Sequence, residues 1–156
     1  PLWSRGLGDV YKRQQQRLRL GMSLADTYRQ VWSSARGHWR VSPQTRYIVP
    51  SRFGYCPFVF RVAEGGWRRD SFEGSHDRFM ATEGYWIDVE RERLIHLGAP
   101  DPHDAWLPTA RVAAEAPTEE DLAVARVLSG KIIALGAGQK NITIRLRQKN
   151  RTLNFD

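Results

Sequence analysis

Short apolar runs, broken at close intervals by glycine and proline, constrain the fold of this chain more than any other feature. Residues 85–89 and 93–97 flank a charged turn, and this arrangement predicts a β-hairpin. Within residues 56–62 the alternation places Phe58, Phe60 and Val62 on one side of a strand. The predicted strands cover residues 47–49, 56–62, 85–89, 93–97, 131–135 and 142–146.

Two segments have the pattern of helices. Apolar residues recur at helical spacing between a capping box that begins at Ser23 and a terminating Gly37, which predicts a helix over residues 24–35. Thr118 caps a second helix that Gly130 closes. Its buried stripe is predicted to contain Leu122, Ala125 and Leu128.

Two helices among about six short strands predict an α+β domain, built on a small curved sheet or β-barrel with two or more flanking helices. Residues 70–83 lack a sustained period and are predicted to form a loop that carries Phe72, His76 and Phe79. Prolines around Trp106 predict an extended connector after the hairpin.

Composition narrows the class of protein. The chain of 156 residues is long enough to bury the core of one domain. Its single cysteine, Cys56, excludes an internal disulfide and predicts a reducing, cytoplasmic location with a chemically inert thiol. No stretch approaches the roughly 20 apolar residues of a membrane span, so no membrane partner is expected.

The net charge of +7 is unevenly distributed, because residues 1–21 contribute +4 of it. Within them, residues 8–14 resemble translated sequencing-adapter sequence from metagenomic assemblies, and Met22 is a plausible start. We therefore expect residues 1–21 to be a non-native or disordered basic leader, residues 22–147 a single domain and residues 148–156 a basic C-terminal tail. The alternative is a native basic N-terminal arm.

Two short segments place tryptophan beside arginine. Arg36, Trp39 and Arg40 follow the first helix, and Trp67 with Arg68 follows the Gly65-Gly66 break. Guanidinium binds phosphate while indole stacks on base faces, so the pairing suits nucleic acid. The alternative is a core tryptophan with solvated arginines on either side.

The C-terminal part adds positive charge and amide groups. Arg145, Arg147, Lys149 and Arg151 alternate at period two, as a phosphate-binding strand or a solvated tail would. Amide groups such as that of Gln139 can read a base edge. The candidate nucleic-acid-binding residues are Arg36, Trp39, Arg40, Ser42, Trp67, Arg68, Trp106, Lys131, Gln139, Asn141 and Arg145.

Four motifs in this order resemble an uncharacterised prokaryotic group of the PUA-like superfamily, whose relatives include EVE, ASCH and YTH domains. The resemblance spans roughly residues 24–146 and rests on Arg36-Gly37 with Trp39-Arg40, Gly66-Trp67-Arg68, Gly130-Lys131, and Gly138-Gln139 with Asn141-Ile142. It implies a small β-barrel with flanking helices that binds DNA or RNA, and EVE and YTH pockets take up a modified base. The last motif departs from the group at Lys140 and Ile142.

These observations predict a non-catalytic nucleic-acid-binding domain, with a possible aromatic pocket for a modified or flipped base, and no metal or cofactor. The four histidines lack metal-ligand spacing, and no phosphate-cradling or nucleophile-elbow motif occurs. The alternative is a small enzyme acting on a nucleotide or nucleic acid, with His76 or His103 as base under a lid formed by residues 70–83. A basic protein-interaction module is a third hypothesis.

Overall fold

The computed structural model describes residues 27–37, 39–51, 55–69, 78–132, 146–149 and 152–155. Its helices are α1 (Thr27–Ala35) and α2 (Glu119–Leu128). Its strands are β1 (Tyr47–Ile48), β2 (Tyr55–Cys56), β3 (Phe60–Val62), β4 (Trp67–Arg69), β5 (Phe79–Ala81), β6 (Gly84–Asp88), β7 (Arg93–Pro100), β8 (Pro108–Val112), β9 (Lys131–Ile132), β10 (Leu146–Lys149) and β11 (Thr152–Phe155). The α+β class is confirmed.

An open antiparallel sheet of five strands, in the order β1-β3-β6-β7-β8, forms the centre of the described structure. The predicted hairpin is confirmed, with Tyr85 opposite His96 and Trp86 opposite Ile95. Three further antiparallel pairs join β2 to β9, β4 to β5 and β10 to β11.

Helix α1 covers one face of this sheet. Its apolar stripe of Val31, Trp32 and Ala35 packs against Phe60, Val62 and Leu97. Gly84 lies under the Trp32 ring, and a Cβ there would be 2.5 Å from Trp32 Cη2. The predicted helix end at Ala35 is confirmed, and the predicted cap at residues 23–26 lies outside the described residues.

Helix α2 covers the opposite face, where Val124, Ala125 and Leu128 pack against Val59, Ile87 and Leu94. Thr118 and Asp121 form the capping box, and Gly130 follows the helix with φ of 70°. The half-buried Leu122 is less enclosed than Val124, which corrects the predicted stripe. Fully burying a valine, leucine or isoleucine side chain in this core stabilises the fold by about 1.5–3 kcal/mol.

Three predicted segments differ from the structure. The run 56–62 breaks into β2 and β3, although Phe60 and Val59 do pack in opposite cores as the alternation predicts. Phe79–Ala81 is a strand rather than part of a loop, because its backbone pairs with β4. The proline-marked connector is shorter than predicted, since β7 reaches Pro100 and β8 begins at Pro108.

Candidate nucleic-acid interface

A tight turn sets the start of β4. Gly65 has φ of 68°, a conformation that favours glycine, and the Gly66 amide donates to the Ala63 carbonyl at 2.8 Å. A Cβ on Gly66 would lie 2.7 Å from the Glu83 carbonyl oxygen. The glycine pair therefore admits the protein's own backbone at this point, and Trp67 follows it directly.

Strand β5 connects the two arginine–tryptophan segments. On one edge, Phe79 exchanges backbone hydrogen bonds with Trp39 at 3.0 and 2.8 Å, and the Ala81 amide donates to the Arg36 carbonyl at 2.7 Å. On its other edge, β5 pairs with β4. We call residues 36–37, 39–40, 67–69 and 78–81 the arginine–aromatic ribbon.

The register assigns these residues to two faces, because directly opposite residues in antiparallel strands share a face. Trp39, Phe79 and Arg69 form one row across three neighbouring segments. Trp67, opposite Ala81, lies on the same face and packs against the α1 core. Arg68 and Met80 are opposite one another on the other face.

Both tryptophans of the ribbon are half-buried, and both use their indole N–H inside the protein. Trp39 Nε1 donates to the Ala35 carbonyl at 2.5 Å, at the end of α1. Trp67 Nε1 donates to the Thr45 carbonyl at 2.7 Å. The two indoles are therefore held in place without being sealed in the core.

The ribbon is strongly basic. Its described residues contain five arginines and no aspartate or glutamate. Arg40, Arg68 and Arg69 are exposed, and the Arg69 guanidinium lies 5.8 Å from the centroid of the Phe79 ring. Burial lowers the pKa of Arg36, which still leaves arginine charged at neutral pH. The other basic residue of the ribbon is Arg78.

The remaining candidate residues lie elsewhere. Exposed Ser42 accepts a hydrogen bond from the Gln44 amide at 3.2 Å, and the Trp106 carbonyl accepts one from Ser33 of α1 at 2.7 Å. Lys131 is exposed on β9, opposite Cys56. The structure thus brings together Arg36, Trp39, Arg40, Trp67 and Arg68, while Gln139, Asn141 and Arg145 lie outside the described residues.

The sheet face beneath α2 carries a second polar group. Asp121, fully buried, accepts from the Tyr47 hydroxyl at 2.7 Å, from the Thr118 amide at 3.0 Å and from Arg61. Arg61 also pairs with Glu115 at 3.2 Å. Burial raises the pKa of the Tyr47 hydroxyl, and its hydrogen bond to Asp121 raises it further. This arrangement joins α2 to β1 and β3.

On the same face, His96 Nε2 lies 2.5 Å from a Glu83 carboxylate oxygen. The Tyr85 ring contacts both His96, at 5.4 Å between centroids, and the Arg61 guanidinium, at 4.8 Å. Burial raises the pKa of Tyr85, and a hydrogen bond to Glu115 adds to the shift. This is a histidine–carboxylate pair that sequence spacing did not indicate.

An aromatic cluster lies between α1 and the sheet. Tyr28 stacks on Trp86 at 4.4 Å between centroids, and Phe58 meets Trp86 edge-on at 5.6 Å. A shallow depression of about 280 Å³ beside this cluster is lined by Tyr28, Arg29, Asp101, Thr109 and Ala110. Within its lining, Arg29 pairs with Asp101 at 2.5 Å and donates to the Pro108 carbonyl.

Sequence reasoning missed the Phe79–Arg69 contact because residues 70–83 lack periodicity. The short apolar run of Phe79, Met80 and Ala81 was the available signal, and three residues are too few to separate a strand from a loop. His96 and Glu83 are 13 positions apart, on different segments, so only strand pairing brings them together.

Within the described residues, no three histidine, cysteine, aspartate or glutamate side chains group as a metal site would require. No helix in the described part of the chain is long and apolar enough to cross a membrane. Comparison of the chain with protein-family models, curated proteins and solved structures finds no match.

Proposed function

We propose that this protein binds nucleic acid through the arginine–aromatic ribbon. One observation carries the proposal: β5 is hydrogen-bonded to Trp39 on one edge and paired with Trp67–Arg69 on the other. Two segments that the sequence separates by more than two dozen residues therefore form one ribbon. That ribbon combines guanidinium groups for phosphate with aromatic rings for bases.

The charge environment of the ribbon supports this function. Arg68 and Arg69 form no ion pair with a described carboxylate, whereas Arg29, Arg46 and Arg61 each do. An exposed guanidinium without an internal carboxylate partner can neutralise a phosphate without first breaking an ion pair. Each phosphate that is neutralised releases a counterion, which makes the affinity depend on salt.

The PUA-like assignment is part of the same proposal. It rests on the order of the sequence motifs and on the α+β class, whereas the described five-stranded sheet is open and not closed into the barrel that the resemblance implies. DNA or RNA is the partner class. Uptake of a modified base is the finer form that the sequence resemblance alone supports.

Fluorescence anisotropy with labelled DNA and RNA, titrated at 50 to 200 mM salt, tests the proposal. For wild type, the logarithm of the affinity should fall linearly with the logarithm of salt concentration. The double variant Arg68→Gln/Arg69→Gln should weaken binding by about 10- to 100-fold and reduce the salt slope by roughly one to two units.

The matched control is Arg111→Gln/Arg126→Gln, which removes the same charge from exposed positions on β8 and α2. It should change affinity much less, because these arginines lie outside the ribbon. Salt-independent affinity, or equal losses in both double variants, would contradict the proposal.

A second candidate is a small enzyme, because a histidine and a carboxylate do lie within hydrogen-bond reach at His96 and Glu83. They lie on the α2 face of the sheet, not in the depression beside α1. His103 is exposed and its backbone amide donates to Asp101, and His76 lies outside the described residues. Turnover of a nucleotide or oligonucleotide that His96→Gln abolishes would support an enzyme.

A further inference from the structure

The row of Trp39, Phe79 and Arg69 crosses three adjacent backbone segments. Opposite residues of antiparallel strands have Cβ atoms about 4.5–5.5 Å apart, so indole, phenyl ring and guanidinium follow one another along the row. The guanidinium of Arg69 already lies over the Phe79 ring, at 5.8 Å from its centroid. The row therefore presents two aromatic rings and a planar cation side by side.

The polar atoms of this surface are poorly suited to reading base edges. The indole N–H groups of Trp39 and Trp67 are used by the Ala35 and Thr45 carbonyls. Phe79 has no polar side-chain atom. In the described part of the ribbon, the strong hydrogen-bonding side chains are all arginines, which donate but cannot accept. Distinguishing four bases requires both donors and acceptors in a defined pattern.

Ring faces and guanidinium planes can stack on any base, since every base has a π-face. Stacking of this kind needs a base that is not already stacked inside a duplex.

Resting on the proposed function, we infer that the row Trp39, Phe79 and Arg69 is a stacking platform for single-stranded nucleic acid, with little discrimination among bases. Phe79 and Arg69 supply the stacking surface. Arg68 lies on the opposite face of the ribbon and is not part of this platform.

The experiment measures anisotropy with 12-nucleotide oligo(dT), oligo(dA) and oligo(dC) and with a blunt duplex of the same length. Affinities for the three single strands should agree within about threefold, and each should exceed the duplex affinity by about tenfold or more. The variant Phe79→Leu, which keeps apolar volume but removes the ring, should weaken single-strand binding about tenfold. Phe79→Tyr should restore it.

Tyr55→Leu is the matched control, because it removes an exposed aromatic ring from β2, outside the ribbon. If Phe79→Leu fails to fold by circular dichroism, the exposed Arg69→Leu variant tests the same row. Arg69→Leu should weaken single-strand binding more than Arg111→Leu.

The possible outcomes distinguish failure of the stacking inference from failure of the proposed function. Equal or tighter duplex binding, a preference above tenfold for one base, or full affinity in Phe79→Leu or Arg69→Leu would overturn the stacking inference while salt-dependent binding remained. Absence of salt-dependent binding to every single strand and duplex would overturn the proposed function itself.

Discussion

Two arginines of the ribbon, Arg68 and Arg69, differ from Arg29 of α1 and Arg61 of β3 in what lies opposite them. Arg61 faces Asp121 and Glu115, and Arg29 faces Asp101. Arg68 is opposite Met80, and Arg69 is opposite Phe79. The first group is neutralised within the fold, whereas the second presents its charge to solvent. Net charge alone therefore does not locate a binding surface, because internal carboxylates cancel part of it.

Replacing Asp121 should produce the largest loss of stability, because its carboxylate neutralises the largely buried guanidinium of Arg61. Asp121→Ala should lower the free energy of unfolding by about 3–5 kcal/mol, because it leaves Arg61 with only the exposed Glu115 as a described carboxylate partner and the Tyr47 hydroxyl without its acceptor. Urea denaturation followed by circular dichroism measures this loss.

Glu120→Ala is the control for that experiment. Glu120 is the neighbouring residue and pairs with Arg46 at 2.7 Å, but both side chains are exposed. Glu120→Ala should lower the free energy of unfolding by less than about 1 kcal/mol. Equal losses in the two variants would show that the Asp121 network is not what anchors α2.

Giving Arg68 a carboxylate partner should neutralise its charge, as Asp121 neutralises that of Arg61. Met80→Glu places an acid directly opposite Arg68 and should weaken the proposed nucleic-acid binding about tenfold, because the new carboxylate would neutralise one charge that we propose to bind phosphate and would itself repel phosphate. Met80→Gln, of similar size without the charge, should bind nearly as wild type. Anisotropy at fixed salt separates them, and equal weakening would assign the effect to packing.

A smaller effect is expected from Tyr47 at alkaline pH. The folded protein raises the pKa of its hydroxyl, so the neutral form is favoured in the folded state. This contribution is complete below the ordinary tyrosine pKa of about 10 and is lost as pH rises above it, because only the unfolded chain then ionises.

Tyr47→Phe should therefore lose less stability than wild type between about pH 9 and 11. Denaturation midpoints at intervals across this range measure the difference. Tyr85, whose pKa is also raised, titrates in both proteins and cancels in the comparison. Parallel pH profiles would refute the role of Tyr47.

The smallest effect should come from the pair Arg126 and Glu92, which are 2.7 Å apart and both exposed. Arg126→Ala should change the free energy of unfolding by less than about 1 kcal/mol, because solvent screens exposed charges. It should also leave nucleic-acid affinity close to wild type. A loss as large as that of Asp121→Ala would remove the distinction between buried and exposed pairs.

Local patterns in the chain predicted the hairpin of β6 and β7, the end of α1, the cap at Thr118 and the turn at Gly65. These features depend on neighbouring residues, whose periodicity, capping groups and backbone freedom act over a few positions. The same patterns named both arginine–tryptophan segments as candidates. They could not show whether the two segments meet.

Tertiary structure decided whether the two segments meet. It also decided which arginines have carboxylate partners. Trp39 and Trp67 share a surface only because β5 pairs on both edges, and Arg61 meets Asp121 across 60 positions of sequence. Strand register and long-range ion pairs join residues that are far apart in the sequence, and no local pattern around either residue indicates its partner. The sequence alone therefore identified the arginines and tryptophans as candidates. Which arginines are neutralised by carboxylates and which face solvent is decided only when the strands pair.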